Sequence, residues 1–297
     1  MTELELTIES ENLVAKLAGV QIFTYVIDTS HVPAQDTPKP YFHPVRTLSG
    51  EVVTDFAPED HPWHHGITVA FPRVNDHNLW GGGTYLGPDS GYVVQSDHGE
   101  IKHHKWLTIN AAAGTFSHEL GWYGQNNELL LTETRSWKVN AINHGGNKGW
   151  QLELHTSFRN ELATDISLET PQQRGRADGG YGGLFFRMSA DLTDFNLFVN
   201  GDPSRGSGDE GHDLVIQAQT SEGEEATIAM EYQNGIPVER QKWLYRVTPF
   251  PLAGFAVAYD EGLVIPVGES FAFSHRIGVL DGILDSESVI AALNSEV

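Results

Sequence analysis

Hydrophobic and polar positions alternate with a period of two from one end of the chain to the other. This is the pattern of strands that bury one face. Clusters of Gly, Asn, Asp and Pro separate the alternating segments, as turns do. The sequence therefore predicts an all-β protein. The clearest strands are predicted at Leu4–Ile8, Ile67–Phe71, Leu129–Val139, Trp150–Phe158 and Phe271–Val279.

Only one segment has the spacing of a helix. It is Ser286–Ser295, where Val289, Ile290 and Leu293 recur behind Ser and Asp residues that can cap a helix. No linker, composition break or fixed-period repeat divides residues 1–297, which we expect to form a single domain. So many strands predict a large antiparallel sandwich or supersandwich with a short C-terminal helix, and such a fold presents a concave sheet face to ligands.

Composition narrows the possible partners. The chain has 40 acidic against 18 basic residues, which gives a formal charge of −22. That charge opposes binding to nucleic acid or anionic lipid. The absence of cysteine excludes disulfides, the amino terminus is acidic, and no apolar run approaches the ~18 residues of a membrane span. We expect a cytoplasmic protein with a small-molecule ligand and neither nucleic acid nor membrane as partner; a homodimer stays open.

Charged and imidazole side chains interrupt two of the predicted apolar stripes. Glu133 and Arg135 share the buried face of Leu129–Val139, so they either pair with each other or face a ligand pocket. His103 lies on the apolar face of Gly99–Ile109, together with Lys105 and Leu107. It is either a core histidine bonded to a carbonyl group or a functional one.

The densest chemistry is the run His61-Pro62-Trp63-His64-His65-Gly66, just before a strand. Three imidazoles this close suit general acid/base catalysis or a metal site, and the structural alternative is a rigid hydrogen-bonded loop. The spacing matches no zinc signature, and adjacent strand residues point to opposite faces. We therefore assign no metal ligand and predict no cofactor, although a metal at this cluster stays open.

Several longer motifs together resemble a bacterial family labelled "methane oxygenase PmoA". The resemblance covers nearly the whole chain. The motifs are Tyr-Phe-His-Pro-Val-Arg-Thr at 41–47, Asp-His-Pro-Trp-His-His-Gly at 60–66, His-Gly-Glu-Ile-Lys-His at 98–103, Glu-Thr-Arg at 133–135, Tyr-Gly-Gly-Leu-Phe-Phe-Arg at 181–187, and Pro249-Phe250-Pro251 through Gly282.

The resemblance implies a galactose-mutarotase-like β-sandwich associated with sugar catabolism. Methane oxidation is not implied, because the membrane subunit of that name spans a bilayer and this chain has no spanning segment. The chain departs from the family at Ser189 and Ala190 and in a short 172–180 loop. These differences affect the rim of the expected pocket and therefore which substrate it binds. The recurring polar residues that carry over are Arg46, His61, His64, His65, His103, Glu133, Tyr181 and Arg187.

These residues give three functional hypotheses. The leading one is a carbohydrate-active enzyme of mutarotase-like, epimerising or glycoside-cleaving type. In it His64, His65, His103 and Glu133 exchange protons, while Arg46, His61, Tyr181 and Arg187 bind a sugar or oxidised sugar. The alternatives are a metal-dependent lyase or oxygenase at the histidine cluster and a non-catalytic sugar-binding module. We expect at least four of Arg46, His64, His65, His103, Glu133 and Arg187 to meet in one pocket.

Overall fold

Strands make up most of the computed structural model, which describes residues 3–295, and only 8% of the chain is helical. The strands are β1 (Leu4–Glu9), β2 (Asn12–Leu17), β3 (Val20–Val26), β4 (Tyr41–Val45), β5 (Ile67–Ala70), β6 (Arg73–Val74), β7 (Thr84–Tyr85), β8 (Tyr92–Val93), β9 (Glu100–Asn110), β10 (Thr115–Tyr123), β11 (Leu129–His144), β12 (Asn147–Asn160), β13 (Ile166–Glu169), β14 (Gly183–Arg187), β15 (Leu192–Val199), β16 (Asp202–Pro203), β17 (Asp213–Thr220), β18 (Glu225–Asn234), β19 (Trp243–Arg246), β20 (Leu252–Phe255), β21 (Leu263–Ile265) and β22 (Ser270–Asp281). An α-helix, α1 (Ser286–Leu293), follows them. Single 3-10 turns lie at Ala34–Asp36, Ala111–Ala113, Gln125–Asn127, Pro171–Arg174 and Val238–Arg240.

Two large antiparallel sheets form the body of the fold. The eight-stranded sheet has the order β1-β2-β3-β4-β5-β14-β20-β19, and the nine-stranded sheet has the order β16-β15-β17-β18-β22-β12-β11-β10-β9. A three-stranded sheet (β21-β13-β6) and the hairpin β7-β8 complete the set. One continuous apolar core contains side chains from the inner faces of both large sheets. The predicted all-β supersandwich is confirmed.

Strand β11 shows how the alternating sequence builds this core. Leu131, Trp137 and Val139 are buried on its inner face, while Thr134 and Lys138 between them are not. Each large apolar side chain removed from water contributes about 1.5–3 kcal/mol to folding before conformational entropy is counted. The period-two pattern therefore fixes which face of the strand meets the other sheet.

The C-terminal helix begins where the sequence places a cap. The Asp285 carboxylate accepts a hydrogen bond from the Ser288 backbone N–H at 2.9 Å. Val289, Ala292 and Leu293 then pack on the outer face of the nine-stranded sheet. The predicted helix is confirmed, and it covers apolar positions on a sheet face that would otherwise meet water.

The facing predicted for β9 is wrong over part of its length. Its pairing with β10 shifts twice, so that His104 and Leu107 have no direct partner across the ladder. Each extra residue acts as a β-bulge and reverses the facing of the positions beyond it. Lys105 and Leu107 consequently lie exposed, whereas Trp106 turns toward the core.

A separate apolar cluster lies on the outer face of the eight-stranded sheet. Ala70, Phe185, Leu244 and Leu252 supply it from four adjacent strands. Loops between the strands fold over this patch and add Trp63, Trp80, Tyr181 and Phe250. This covered patch forms the floor of the cavity described below. Within residues 3–295, no helix has the length and apolarity needed to cross a membrane.

Candidate functional site

A cavity of about 290 Å³ opens above that outer patch of the eight-stranded sheet. Its volume is at the small end of the range for ligand pockets, which suits a molecule the size of a monosaccharide. Its walls combine aromatic rings with imidazole and guanidinium groups. The lining residues are His61, Trp63, His64, Trp80, Gly81, Gly83, Tyr92, Arg176, Asp178, Tyr181, Phe185, Leu244, Arg246, Phe250 and Leu252.

His61 is held by the residue before it. Its Nδ1 lies 2.6 Å from Oδ2 of Asp60, so Nδ1 carries the proton and Nε2 is left as the basic nitrogen. Burial lowers the pKa of His61, and the Asp60 carboxylate opposes part of that fall. The ring is thus neutral at pH 7 with its base fixed in place. This is the arrangement of an oriented imidazole base.

His64 is the more deeply buried imidazole and has the other tautomer. Nη1 of Arg187 donates to its Nδ1 at 3.5 Å, and because a guanidinium can only donate, the ring proton of His64 is on Nε2. Burial holds the pKa of His64 well below its usual range, and the nearby positive charges add to the effect. The His61 and His64 rings stack 4.7 Å apart. One imidazole therefore offers a base and its neighbour offers a donor.

Arg187 connects these two histidines. Its Nη2 lies 3.3 Å from Oδ1 of Asp60, and its guanidinium packs 4.6 Å from the centre of the Phe250 ring. Burial alone would raise the pKa of Asp60, but the hydrogen bond from His61 and the Arg187 charge lower it overall. Asp60 is therefore charged near neutral pH and can orient both partners.

Aromatic rings form the opposite wall. Trp80 packs at 4.8 Å against both Tyr181 and Phe185, and the Tyr181 hydroxyl is 2.8 Å from that of Tyr92. Such faces suit the C–H surfaces of a sugar ring. Trp63 completes the wall because Gly82 lies against its ring, where a Cβ would sit 2.6 Å from Cε2 of Trp63 at a backbone φ of +68°. The Gly81–Gly83 run thus admits a tryptophan and is not a nucleotide loop.

A buried lysine anchors the two loops that carry these tryptophans. Nζ of Lys39 lies within hydrogen-bond distance of four backbone carbonyl oxygens, at 2.8–3.2 Å, and its three N–H groups are shared among them; the carbonyls are those of Asp36, Thr37, Trp63 and Trp80. Burial lowers the pKa of Lys39 to about 7, and the Asp36 charge opposes part of that fall. Within the part of the chain that the structure describes, no backbone–backbone hydrogen bond joins Trp63 to Trp80.

Lys39→Met should loosen the cavity wall. The thioether keeps the length of the side chain but leaves the carbonyls without a donor, which should lower the free energy of unfolding by about 1–3 kcal/mol. Tryptophan fluorescence during denaturant unfolding measures this loss. Lys148→Met, at an exposed position of β12, is the control and should change the stability little. Equal stability of the two variants would show that the Lys39 contacts are dispensable.

Four of the eight predicted site residues line this cavity or contact its lining. His61, His64 and Tyr181 line it directly, and Arg187 bonds to His64. They come from the histidine run and from the segment entering β14, which the sheet places side by side because β14 pairs with β5. The sequence motifs at 60–66 and 181–187 therefore meet in one place.

The structure places Arg46, His65 and His103 outside the cavity. His65 follows His64, so its ring points the opposite way, between Tyr41 and Phe56, with Nε2 donating to the Pro62 carbonyl at 3.1 Å. Burial lowers its pKa to about 2. Nη1 of Arg46 donates to the Gly50 carbonyl in a local turn. The prediction that four of the six named residues share one pocket is wrong, because His64 alone of the six lines the cavity and Arg187 contacts it through His64.

His103 instead belongs to a series of hydrogen-bonded polar side chains inside the sandwich. Its Nδ1 lies 3.0 Å from Nδ1 of His118, whose Nε2 lies 3.0 Å from the Tyr25 hydroxyl. Arg135 donates to the same hydroxyl at 3.1 Å. This hydrogen-bonded series joins the two sheets through their core. Tyr25 is on β3 of the eight-stranded sheet, and His103, His118 and Arg135 are on strands of the nine-stranded sheet.

Glu133 is the last member of this hydrogen-bonded series and is also remote from the cavity. It is 1% exposed, and its two oxygens accept hydrogen bonds from Arg135 Nε (2.6 Å), Arg135 Nη2 (2.8 Å), Trp122 Nε1 (2.7 Å) and the Thr156 hydroxyl. Residues two apart on a strand share a face, which is why Glu133 and Arg135 pair directly. Of the two interpretations of this stripe, the structural pair is the one observed, and no ligand can reach the carboxylate.

Several lining residues were not identified from the sequence. Trp80, Arg176, Arg246 and Phe250 come from loops or strand ends that only the tertiary fold brings together. Two local signals were available. The Gly81–Gly83 run indicated close packing, and the proline-bracketed Phe250 indicated a fixed aromatic.

The three clustered histidines do not converge on one point. Among the side chains that the structure describes, no group of three or more from His, Asp or Glu is placed to hold a metal ion. His65 faces away, which leaves His61 and His64 as a stacked pair beside the Arg187 charge.

Comparison with known proteins gives a family but no activity. A family of unknown function (DUF6807) matches residues 12–294. The chain belongs to this family. No curated protein matches it, and the resemblance to the family labelled PmoA stays a prediction.

Two solved structures show a distant likeness to this chain. The α-galactosidase from Lactobacillus brevis is 7% identical with a TM-score of 0.40, and the match covers 94% of this chain. The chain spans only 39% of that enzyme's length. HI1317 is 9% identical with a TM-score of 0.29, and the match covers 94% of this chain and 99% of that one. At these TM-scores neither likeness bears on function.

Proposed function

We propose that this protein is a carbohydrate-active enzyme that moves a proton on a sugar held in the cavity between His61, His64 and the aromatic wall. The observation that carries the proposal is the stacked imidazole pair with opposite tautomers, a base fixed by Asp60 beside a donor fixed by Arg187. A neutral base next to a neutral donor is what proton transfer near pH 7 requires.

In a mutarotase-like step, Nε2 of His61 accepts the proton of the anomeric hydroxyl. The carbonyl forms at C1, the bond from C1 to the ring oxygen breaks, and Nε2–H of His64 hydrogen-bonds the developing oxyanion. The His61 imidazolium then returns the same proton to the former ring oxygen. One proton thus moves between two oxygens, and no other reactant is consumed. Reclosure on the opposite face of C1 gives the other anomer.

The same cavity also supports a non-catalytic sugar-binding module. The observation in favour is the aromatic wall with Trp63, Trp80 and Tyr181, which would bind a sugar ring without any proton transfer. The two functions differ in one measurable respect. Only the enzyme speeds exchange between anomers or exchange of a sugar hydrogen with solvent.

His61→Gln should lower catalysed exchange about 10²–10⁴-fold and leave sugar binding within a few-fold. The amide keeps a polar group in place but cannot act as a base. Magnetisation-exchange NMR between the anomers, with deuterium uptake in D₂O, measures the rate, and calorimetry measures binding. Because burial lowers the pKa of His61, the rate should hold as the pH falls through about 6.5, where an ordinary imidazole is half protonated, and decline only at lower pH.

His155→Gln is the matched control, since His155 is exposed on the nine-stranded sheet and away from the cavity. It should leave the rate unchanged. Binding without accelerated exchange in the natural chain would favour the binding module. An active His61→Gln variant would remove His61 from the reaction.

A further inference from the structure

The guanidinium groups of two arginines in the cavity have no polar partner among the described residues. Within residues 3–295, the side chain of every other arginine forms an ion pair or donates a hydrogen bond to the chain, whereas the side chains of Arg176 and Arg246 do neither. Both are half-buried, and both line this one cavity. In a chain of charge −22, two guanidiniums without a carboxylate partner need another explanation.

Their stacking positions leave the donor edges free. The Arg176 guanidinium lies 5.1 Å from the centre of the Tyr92 ring, and that of Arg246 lies 5.4 Å from the centre of the Phe250 ring. Stacking uses the face of a guanidinium and keeps its N–H groups in the plane for an acceptor. Burial raises the pKa values of Tyr92 and Tyr181, so both phenols beside Arg176 are neutral.

The balance of charge around the cavity favours a ligand with a single negative charge. Arg187 is paired with Asp60, and the remaining lining carboxylate, Asp178, forms no ion pair with an arginine among the described residues. Counting Arg176 and Arg246 against Asp178 leaves one net positive charge. A single carboxylate matches this charge, whereas a dianionic phosphate would exceed it.

We propose that the substrate is a sugar acid whose carboxylate is bound by Arg176 and Arg246. This inference rests on the proposed function, because the sugar ring would occupy the space between the aromatic wall and the His61–His64 pair. The planar fork of arginine matches a carboxylate by two parallel hydrogen bonds. The carboxylate end of the ligand would then lie toward Tyr92 and Phe250.

Calorimetry on matched sugar pairs tests this. Glucuronate, galacturonate and mannuronate are each compared with glucose, galactose and mannose, so that only the C6 group differs within a pair. At low salt, at least one uronate should bind 10-fold or more tighter than its parent hexose. Arg246→Met and Arg176→Met should each remove most of that difference between uronate and hexose. Arg246→Lys should retain part of it.

Arg159→Met is the matched control, because Arg159 is 63% exposed on β12 and remote from the cavity; it should retain the full preference. Thermal unfolding of each variant separates misfolding from lost recognition, and a folded variant with an unchanged preference would overturn the inference. Equal binding of hexose and uronate would overturn the substrate class and leave the proposed function standing. Tighter binding of glucose 6-phosphate than of any uronate would assign the arginines to phosphate. Binding of no sugar at all would contradict both proposals.

Discussion

Lowering the pH from 7 to 5 should remove roughly 8 kcal/mol of folding free energy and bring the protein close to unfolding. Four histidines are the cause. His64, His65, His118 and His275 are each at most 6% exposed. Burial lowers the pKa of His65 to about 2 and that of His275 to about 3, and holds those of His64 and His118 well below the usual range.

The sign follows from the protons each state binds. In the unfolded chain an imidazole has a pKa of about 6.5, so it takes up a proton as the pH falls below that value, while the buried ring does not. Unfolding then takes up protons, and acid favours it. Each histidine contributes stability above pH 6.5 and loses about 2 kcal/mol of it by pH 5. Below about pH 4 the carboxylates add their own loss, so the histidine effect is best measured between pH 7 and 4.5.

Urea unfolding at several pH values, followed by fluorescence, gives the slope of stability against pH. His275→Phe should reduce that slope by about 1.4 kcal/mol per pH unit, because one titrating ring is replaced by a neutral one. A phenyl ring is the suitable replacement, since His275 stacks between Phe255 and Phe273 at 3.9 Å and 4.6 Å. His155→Gln, on the exposed face, should leave the slope as it is. An unchanged slope in His275→Phe would show that its ring is protonated in the fold.

Glu133→Gln should lower the free energy of unfolding by about 3–5 kcal/mol. The amide has one acceptor oxygen where the carboxylate has two, so its NH₂ group would face donors from Arg135 and its neighbours, and Arg135 would remain charged in the core without its counter-charge. Burial opposes the charge on Arg135, but the Glu133 carboxylate outweighs it and keeps the pKa of Arg135 above its usual range. Denaturant unfolding measures the loss directly.

Two comparisons make the Glu133 result specific. Glu119→Gln, in the neighbouring strand β10 and paired with exposed Lys105, should cost no more than about 1 kcal/mol. Replacing Glu133 and Arg135 together by methionine should recover most of the stability, because an ion pair in the core is largely exchangeable for apolar packing. If Glu133→Gln abolished sugar turnover at unchanged stability, the carboxylate would belong to the reaction after all.

Much of the sandwich could be predicted from alternation alone. Strand β11 follows its pattern from Leu131 to Val139, and the position of Glu133 and Arg135 on the buried stripe was predicted correctly. The pattern could not tell whether a buried charge meets a ligand or a partner two residues away, because both satisfy it equally. In β9 the two bulges depend on pairing with β10, which leaves no mark in the sequence of the strand.

The candidate site was predictable only where its residues are close in sequence. His61 and His64 lie in one run, and Arg187 ends another conspicuous motif. Arg176 and Arg246 lie far apart in the sequence, and neither stands in a motif of its own. They meet because a glycine-rich loop and the end of β19 reach the same opening, a relation that strand order decides.

The four carbonyl groups around Lys39 bear on whether the cavity depends on ions from the solution. Four backbone oxygens lie 2.8–3.2 Å from the single Lys39 nitrogen, an arrangement that resembles the carbonyl coordination of a small cation. Here the donor is tethered to the chain, so closing the loops around Trp63 and Trp80 draws nothing from the medium. Dialysis or a change of salt should leave the cavity assembled.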